Sequence, residues 1–335
     1  MPRKTVCKLL LTLLFSLVIL VPGWITDDAV IAVASEGYIK WVNFNVTADV
    51  LRTALKYDII SYEAAKTDST VHHASMSDLV AISAAMHGGE FDKVKSSEIE
   101  NIAHRLMAGE NPESITSSKY LGYFTKAYEA ILGGFVGKYA VIENGVLQER
   151  YGLKVFSPIA EGYEFRHYDD FGASRSYGYK RRHLGHDLMG GVGTPIIAVE
   201  SGYVEACGWN QYGGWRIGIR SFDGRRYYYY AHLRKGHPYN DIYEGKQVQA
   251  GEVIGYLGMT GYSSKEDVNN IDTPHLHFGV QLIFDKSQKE GVNQIWIDLY
   301  ELTKFLGQNR SKVVYSKETG EFSALTPITD LLAPD

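Results

Sequence analysis

Thr273-Pro274-His275-Leu276-His277-Phe278-Gly279 sets two histidines two residues apart in a run that continues through Val280 to Leu282. Side chains alternate faces along a strand, so a strand over His275 to Leu282 turns His275 and His277 the same way. Upstream, His183-Leu184-Gly185-His186-Asp187 has the same period: His183, Gly185 and Asp187 fall on one face, Leu184 and His186 on the other. A helix would also bring positions 183 and 187 together. Gly185, Gly190-Gly191 and Gly193-Thr194-Pro195 argue against one, and predict an extended or turning chain. Two imidazoles and one carboxylate drawn from these motifs can hold a metal and leave a position open for water, as catalytic zinc sites do. On spacing alone His275 and His277 are both candidate ligands.

The surrounding texture is β-rich from about Tyr139. Trp215 to Phe222 and Arg225 to His232 flank Asp223-Gly224, a dipeptide that type I′ hairpin turns prefer. Further strands are expected at Pro195 to Val199, Tyr203 to Trp209 and Val253 to Leu257, with a closing helix over Trp296 to Leu306. His232 ends the second hairpin strand in Tyr230-Ala231-His232-Leu233, and strict alternation places it with Tyr228 and Tyr230. The Tyr227 to Tyr230 run reads mainly as strand packing. Trp209 and Tyr212, beside the loop Asn210 to Gly214, are candidates for a groove wall.

From Ser35 to Gly137 the apolar spacing is helical. Helices are expected near Thr47, within Ser75-Met-Ser-Asp-Leu79, at Ser96 or Ser97 and at Ser117 or Ser118. Stops follow at Gly88-Gly89, Gly109 and Gly133-Gly134, since small hydroxyl residues start helices and glycines end them. The expectation is therefore α+β: a small all-α domain at 35–138, a mainly β domain (an antiparallel sheet or sandwich) at 139–310, and a polar tail with little core at 311–335.

Residues 1–34 begin with Arg3, Lys4 and Lys8 and an apolar run from Leu9 to Val21, which predicts a signal peptide or N-terminal membrane anchor. The protein is thus expected outside the cytoplasm, touching membrane only through that segment. Of the two cysteines, Cys7 lies in the leader and Cys207 reads as a packed thiol, so the mature form has no internal disulfide. A net charge of −5 and a pI near 6.1 provide no footprint for nucleic acid.

With these motifs assembled, the chain resembles the lysostaphin-type, or LytM-like, zinc endopeptidases of peptidoglycan. Family members carry H-x-G-x-D leading into a G-T-P turn, matched by His183 to Asp187 and Gly193 to Pro195. They carry a Y-x-H-L strand end, matched by Tyr230 to Leu233, and P-H-L-H-F, matched by Pro274 to Phe278. Between lies a glycine-rich run, Val248 to Gly261. The resemblance covers about Gly172 to Gly279. It implies one Zn2+ bound by His183, Asp187 and His277, with His232 and His275 beside the metal as acid/base and oxyanion-stabilising groups. It also places Tyr177, with Tyr179 as competitor, where some relatives have a tyrosine that steadies the transition state. The implied function is hydrolysis of peptide bonds in the stem or cross-bridge of bacterial peptidoglycan. Rival readings are a catalytically silent cell-wall scaffold of the same fold and a zinc carboxypeptidase acting on stem peptides. Some family members are held latent by an upstream segment, a part that residues 140–182 could play. His186 is expected on the face away from the ligands, His237 at the surface, and His72-His73 in a polar loop with no metal role.

Overall fold

The computed structural model describes residues 32–33, 39–143, 145–177, 179–285, 288 and 294–331. The expected leader, 1–34, lies outside these residues except for Ala32–Val33. Among the described residues no helix is long and apolar enough to cross a membrane.

Five helices come first. α1 (Ala48–Thr67) is capped by the Thr47 side chain, which accepts from the Val50 N–H. α2 (Met76–His87) is capped in the same way by Ser75 and ends at Gly88 with φ 66°, a left-handed turn that glycine adopts without strain. α3 (Ser96–Met107), the single turn α4 (Pro112–Ile115) and α5 (Leu121–Leu132) complete the group. α5 starts later than Ser118 because Ser118 closes a preceding turn, its carbonyl accepting from the Leu121 N–H. Nine of the twelve residues of α2 are buried, so this helix is the centre around which the others pack.

The strands follow: β3 (Val136–Glu143), β4 (Val146–Leu153), β5 (Phe165–Tyr168), β6 (Ser174–Tyr177), β7 (Tyr179–Arg182), β8 (His186–Gly190), β9 (Pro195–Ile197), β10 (Gly202–Asn210), β11 (Gly214–Ser221), β12 (Arg226–Ala231), β13 (Gln247–Val248), β14 (Val253–Tyr256), β15 (His275–Leu282) and β16 (Gln294–Ile297). Helix α6 (Tyr300–Leu306) and strands β17 (Val313–Tyr315), β18 (Phe322–Ala324) and β19 (Ile328–Asp330) end the chain; β1 (Ala32–Val33) and β2 (Ile39–Val42) precede the helices. The main sheet runs β1-β2-β16-β15-β12-β11-β10-β13, with β8 also on β15 and β5 on β8. Its pairings are antiparallel except β16 with β2. Alternation makes one face core, through Ile217, Ile219, Tyr228, Tyr230, Leu276, Phe278 and Val280, all buried. The other face carries Arg216, Arg220, Tyr227, Tyr229, His277 and Gln281, and forms the floor of a cleft.

Two expectations need correction. The β11–β12 connection is not a type I′ turn: Gly224 has φ 75° but Asp223 is not left-handed, and the Gly224 N–H donates to Ser221 O at 2.8 Å. Asp223 instead accepts from Ser221 Oγ and the Arg225 N–H, which holds it in a right-handed turn. The segment from 311, expected to carry little core, also contributes structure. β17 and β18 form a hairpin, β19 joins β3 and β4 in a three-stranded sheet, Ile328 is buried, and Asp330 pairs with buried Lys154 at 2.7 Å. Ile328 and Asp330, two positions apart on a three-residue strand, make too short a pattern to read from sequence.

The buried core runs without interruption from the helices into the sheet. At that seam Arg226 is fully buried. Its guanidinium bonds Glu200 bidentately at 2.8 and 2.9 Å, Asp223 at 2.7 Å and the Ala130 carbonyl at 2.9 Å. Tyr228 donates to the same Glu200 carboxylate. A Cβ at Gly134 would overlap this pair, which explains glycine there. Removing one partner of such a cluster strands a buried charge, so Arg226→Ala should cost about 3–5 kcal/mol of stability, read as a shifted denaturant midpoint. A change under about 1 kcal/mol would show that the cluster is not what joins the two parts.

Candidate metal centre

β8 lies antiparallel to β15 with Asp187 opposite His277 and Met189 opposite His275. This pairing turns the Asp187 and His277 side chains to the same face. His183 arrives differently from the alternation expected over 183–187, since β8 begins only at His186. His183 lies in the bend after β7, pinned by its N–H to Ala173 O at 2.9 Å and its carbonyl to the Gly172 N–H at 2.7 Å. The bend still carries its ring to the other two groups. His183 Nε2 is 2.8 Å from His277 Nδ1 and 3.0 Å from Asp187 Oδ1, and His277 Nδ1 is 3.0 Å from the same oxygen. The three donor atoms form a near-equilateral triangle, close to what bonds of ~2.0–2.1 Å to one ion need. Gly185 makes this approach possible: a Cβ there would lie 2.5 Å from His277 Cε1 and 2.6 Å from its Nε2.

The electrostatics suit a cation. Burial pulls His183 down, but the Asp170 and Asp187 carboxylates outweigh it and push the imidazole up to about 9. Asp187 is moved the other way: burial raises it, and bonds to His183 and His277 hold it far below the carboxylate range. Asp170 Oδ1 is 2.8 Å from His183 Nδ1, an ion-pair contact whose angle falls outside hydrogen-bond geometry, so both atoms are buried without a formal bond. Asp170 also pairs with Arg175, which reaches Asp187 Oδ2 at 3.4 Å. A carboxylate behind a ligating histidine fixes its ring and raises its basicity. Nothing in the sequence singled out Asp170, because only the β6–β7 hairpin and the bend after it bring position 170 against 183.

His232 and His275 flank the triangle. His232 Nδ1 is 2.8 Å from Thr260 O and His275 Nδ1 is 2.7 Å from Thr273 O. A carbonyl only accepts, so each Nδ1 carries a proton and points each Nε2 the other way, that of His275 to 3.8 Å from Asp187 Oδ2. The rings lie 4.9 Å apart. Burial, then His275 and His277, push His232 well below its ordinary value and keep it neutral. Alternation predicted His232 beside Tyr228 and Tyr230; those two point into the core, and His232 has φ 64°. β12 ends at Ala231, and the left-handed step turns the ring into the cleft.

The cleft above this group encloses about 740 Å³. Tyr212 lines it as expected, but Trp209 does not; it packs on Trp215 instead, with ring centroids 5.6 Å apart. Tyr227 and Tyr229, read as packing residues, face the cleft because β12 puts odd positions there. Tyr262, unnoticed in the sequence, stands over His232 at 5.8 Å between centroids and accepts from Arg181 Nη2 at 2.6 Å. Tyr177 and Tyr179 contribute backbone to β6 and β7; their side chains lie outside the described residues. His186 is buried against His167, Nε2 to Nδ1 at 2.9 Å, and burial followed by His167 pulls it down to about 3. His73 bonds Asp58 at 2.8 Å, so a carboxylate does lie beside it, fifteen residues back on α1.

Comparison with known proteins centres on this part of the chain. Residues 181–293 match the model of peptidase family M23. Over 126 residues the chain is 39% identical to the L-Ala–D-Glu endopeptidase of Bacillus subtilis (strain 168), which covers 37% of this chain and 36% of that protein. Over 97 residues it is 41% identical to lysostaphin of Staphylococcus staphylolyticus, covering 29% of this chain and 18% of that one. The matches therefore span well under half the length of these relatives. A crystal structure from Ruminococcus gnavus ATCC 29149, described as a glycyl-glycine endopeptidase lytM, aligns with a TM-score of 0.52 at 23% identity, covering 82% of this chain and 93% of that one. The fold is shared.

Two substitutions test the geometry. Gly185→Ala should lower zinc affinity at least ~10-fold by pushing the His277 ring aside, and Asp170→Asn should lower it ~10–100-fold by releasing His183. Competition against a chromophoric chelator measures both, and wild-type affinity in Gly185→Ala would reject the triangle as the metal site.

Proposed function

We propose that this chain, which carries a peptidase family M23 domain over residues 181–293, is a zinc-dependent endopeptidase acting on the peptide portion of bacterial peptidoglycan. The observation that carries the reading is the convergence of His183, Asp187 and His277 on one point, with His232 and His275 lining the same cleft. The named activity of the Bacillus relative, an L-Ala–D-Glu endopeptidase, supports the substrate class.

His183, Asp187 and His277 would hold the zinc, which when bound polarises the scissile carbonyl and brings water's pKa toward ~7. The chain's own residues do the rest. Thr260 O and Thr273 O lock the tautomers of His232 and His275, so either Nε2 can accept a proton from the attacking water without reorienting. Once protonated, that nitrogen becomes a donor for the leaving amine, while the partner ring borders the position where oxyanion charge develops. The Tyr262 hydroxyl, held by Arg181, and the Tyr177 phenol are the further candidates for steadying that charge. Export by residues 1–34 belongs to the same reading, because the substrate lies outside the cell membrane. With the domains divided at 35–138 and 139–310, the helical domain would position, restrain or recruit the peptidase domain.

All five metal-site and flanking positions are filled, which favours turnover over a silent scaffold. His232→Ala and His275→Ala should each lower hydrolysis of purified peptidoglycan by at least ~100-fold while retaining zinc, whereas Asp187→Ala should lose metal and activity together. Metal content by atomic absorption beside turnover separates these cases; loss of zinc from His232→Ala would sink the division between ligands and proton carriers. Mass spectrometry of the muropeptides distinguishes the bond: split cross-links or stems support an endopeptidase, and loss of a terminal residue alone identifies a carboxypeptidase.

A further inference from the structure

β11 turns Ile217 and Ile219 into the core and Arg216, Gly218 and Arg220 onto the cleft face, beside Tyr227 and Tyr229 of β12. Arg181, from β7, reaches the same cleft from its wall. Each of these three guanidinium groups has a buried nitrogen without a hydrogen-bond partner: Arg181 Nη1, Arg216 Nε and Arg220 Nη1. None is held idle by poor placement. Arg220 uses Nε and Nη2 on Glu205 at 2.8 and 3.1 Å and lies 5.2 Å from the Tyr227 ring centroid. Arg181 sits between the Tyr212 and Tyr262 rings, 5.2 and 4.9 Å from their centroids. Among the described residues no carboxylate forms an ion pair with Arg181 or Arg216, and Glu205 pairs with Arg220.

Leaving a buried charged donor unpaired costs more than the ~1–3 kcal/mol of a neutral one. Native structures keep such groups where something else completes them. The three arginines are only partly buried and all line the cleft, so the exposed edges of their guanidinium groups are open to a ligand that enters it. A planar guanidinium fork is matched by a carboxylate through two parallel bonds, and flanking phenols fix its plane.

We infer that Arg216, with Arg220 and Arg181, forms a carboxylate-reading subsite on the floor of the cleft, and that the substrate is an acidic stem peptide rather than an uncharged glycine bridge. This rests on the peptidase reading and narrows it. The subsite lies along the sheet from His277, so a peptide whose scissile amide is at the metal triangle would lay a side-chain or main-chain carboxylate over β11.

The test is equilibrium binding, which does not depend on turnover. Two peptides are titrated into the zinc-loaded full-length chain in a His275→Ala background: L-Ala–D-Glu–L-Lys with a free D-Glu carboxylate, and the same peptide with that group as carboxamide. The free carboxylate should bind at least ~10-fold more tightly. Arg216→Gln should bring the ratio toward one, and Arg216→Lys should restore only part of it, because an ammonium offers charge without the fork. Arg181→Gln provides a second variant, and thermal melting confirms that each protein is folded. Equal binding of the two peptides, or a preference that survives Arg216→Gln and Arg181→Gln together, overturns the subsite. So does competition by inorganic phosphate at the peptide's own concentration, which would mark a general anion site. Peptidoglycan hydrolysis by the unsubstituted chain is measured separately, so failure of the peptidase reading and failure of the subsite show up in different assays.

Discussion

The antiparallel pairing of β8 with β15 is the constraint on which the candidate site depends. It sets Asp187 opposite His277 in register, and the pleat turns both side chains to the open face of the sheet. A slip of one residue would send both into the layer occupied by Leu188, Leu276 and Phe278, where no metal could reach them. That layer is fully buried, so the register is held by apolar packing as well as by the ladder. The His183–Asp187–His277 triangle, the candidate metal site, is thus a by-product of a well-specified core.

The remaining groups are attached to that frame by irregular backbone. His183 comes from a bend, His232 from a left-handed residue just past the end of β12, and the Nδ1 partners of His232 and His275 are carbonyls of loop residues. A positive φ on a non-glycine costs of order 1–3 kcal/mol and persists where the surroundings determine it. Here the His232 N–H donates to Gly213 O and its ring to Thr260 O, at 2.7 and 2.8 Å. Glycines at 185 and 261 give the rings room: a Cβ at Gly261 would sit 3.0 Å from His232 Nδ1. Regular strands supply precision, and the bends supply direction.

The cleft's chemistry divides along the sheet. Near β8 the groups are carboxylates and imidazoles, suited to a cation and to proton transfer. Farther out, over β11 and β12, they are guanidinium and phenol groups, suited to an anionic and partly aromatic ligand. One ligand lying along the sheet meets both. The buried Arg226–Glu200 cluster on the opposite face ties this sheet to α5 through the Ala130 carbonyl.

Much of this was legible in the chain. The strand at His275–Leu282, the helix caps at Thr47 and Ser75 and the stop at Gly88 follow from period and capping chemistry, which are local properties; spacing alone offers His183, Asp187, His275 and His277 as candidate ligands, and their division, with His232 added, comes only from the family resemblance. What the sequence could not determine was anything set by a long-range approach. Asp170 has no motif, since its partner His183 is reached only through the β6–β7 hairpin. His232 seemed to belong with Tyr228 and Tyr230, and only its left-handed backbone reverses that. Arg216 and Arg220 share a face with Tyr227 and Tyr229 over the cleft only once β11 and β12 pair. Side-chain period belongs to a single strand and can be read from it; which faces meet, and which charges are left without partners, belongs to the packed chain alone.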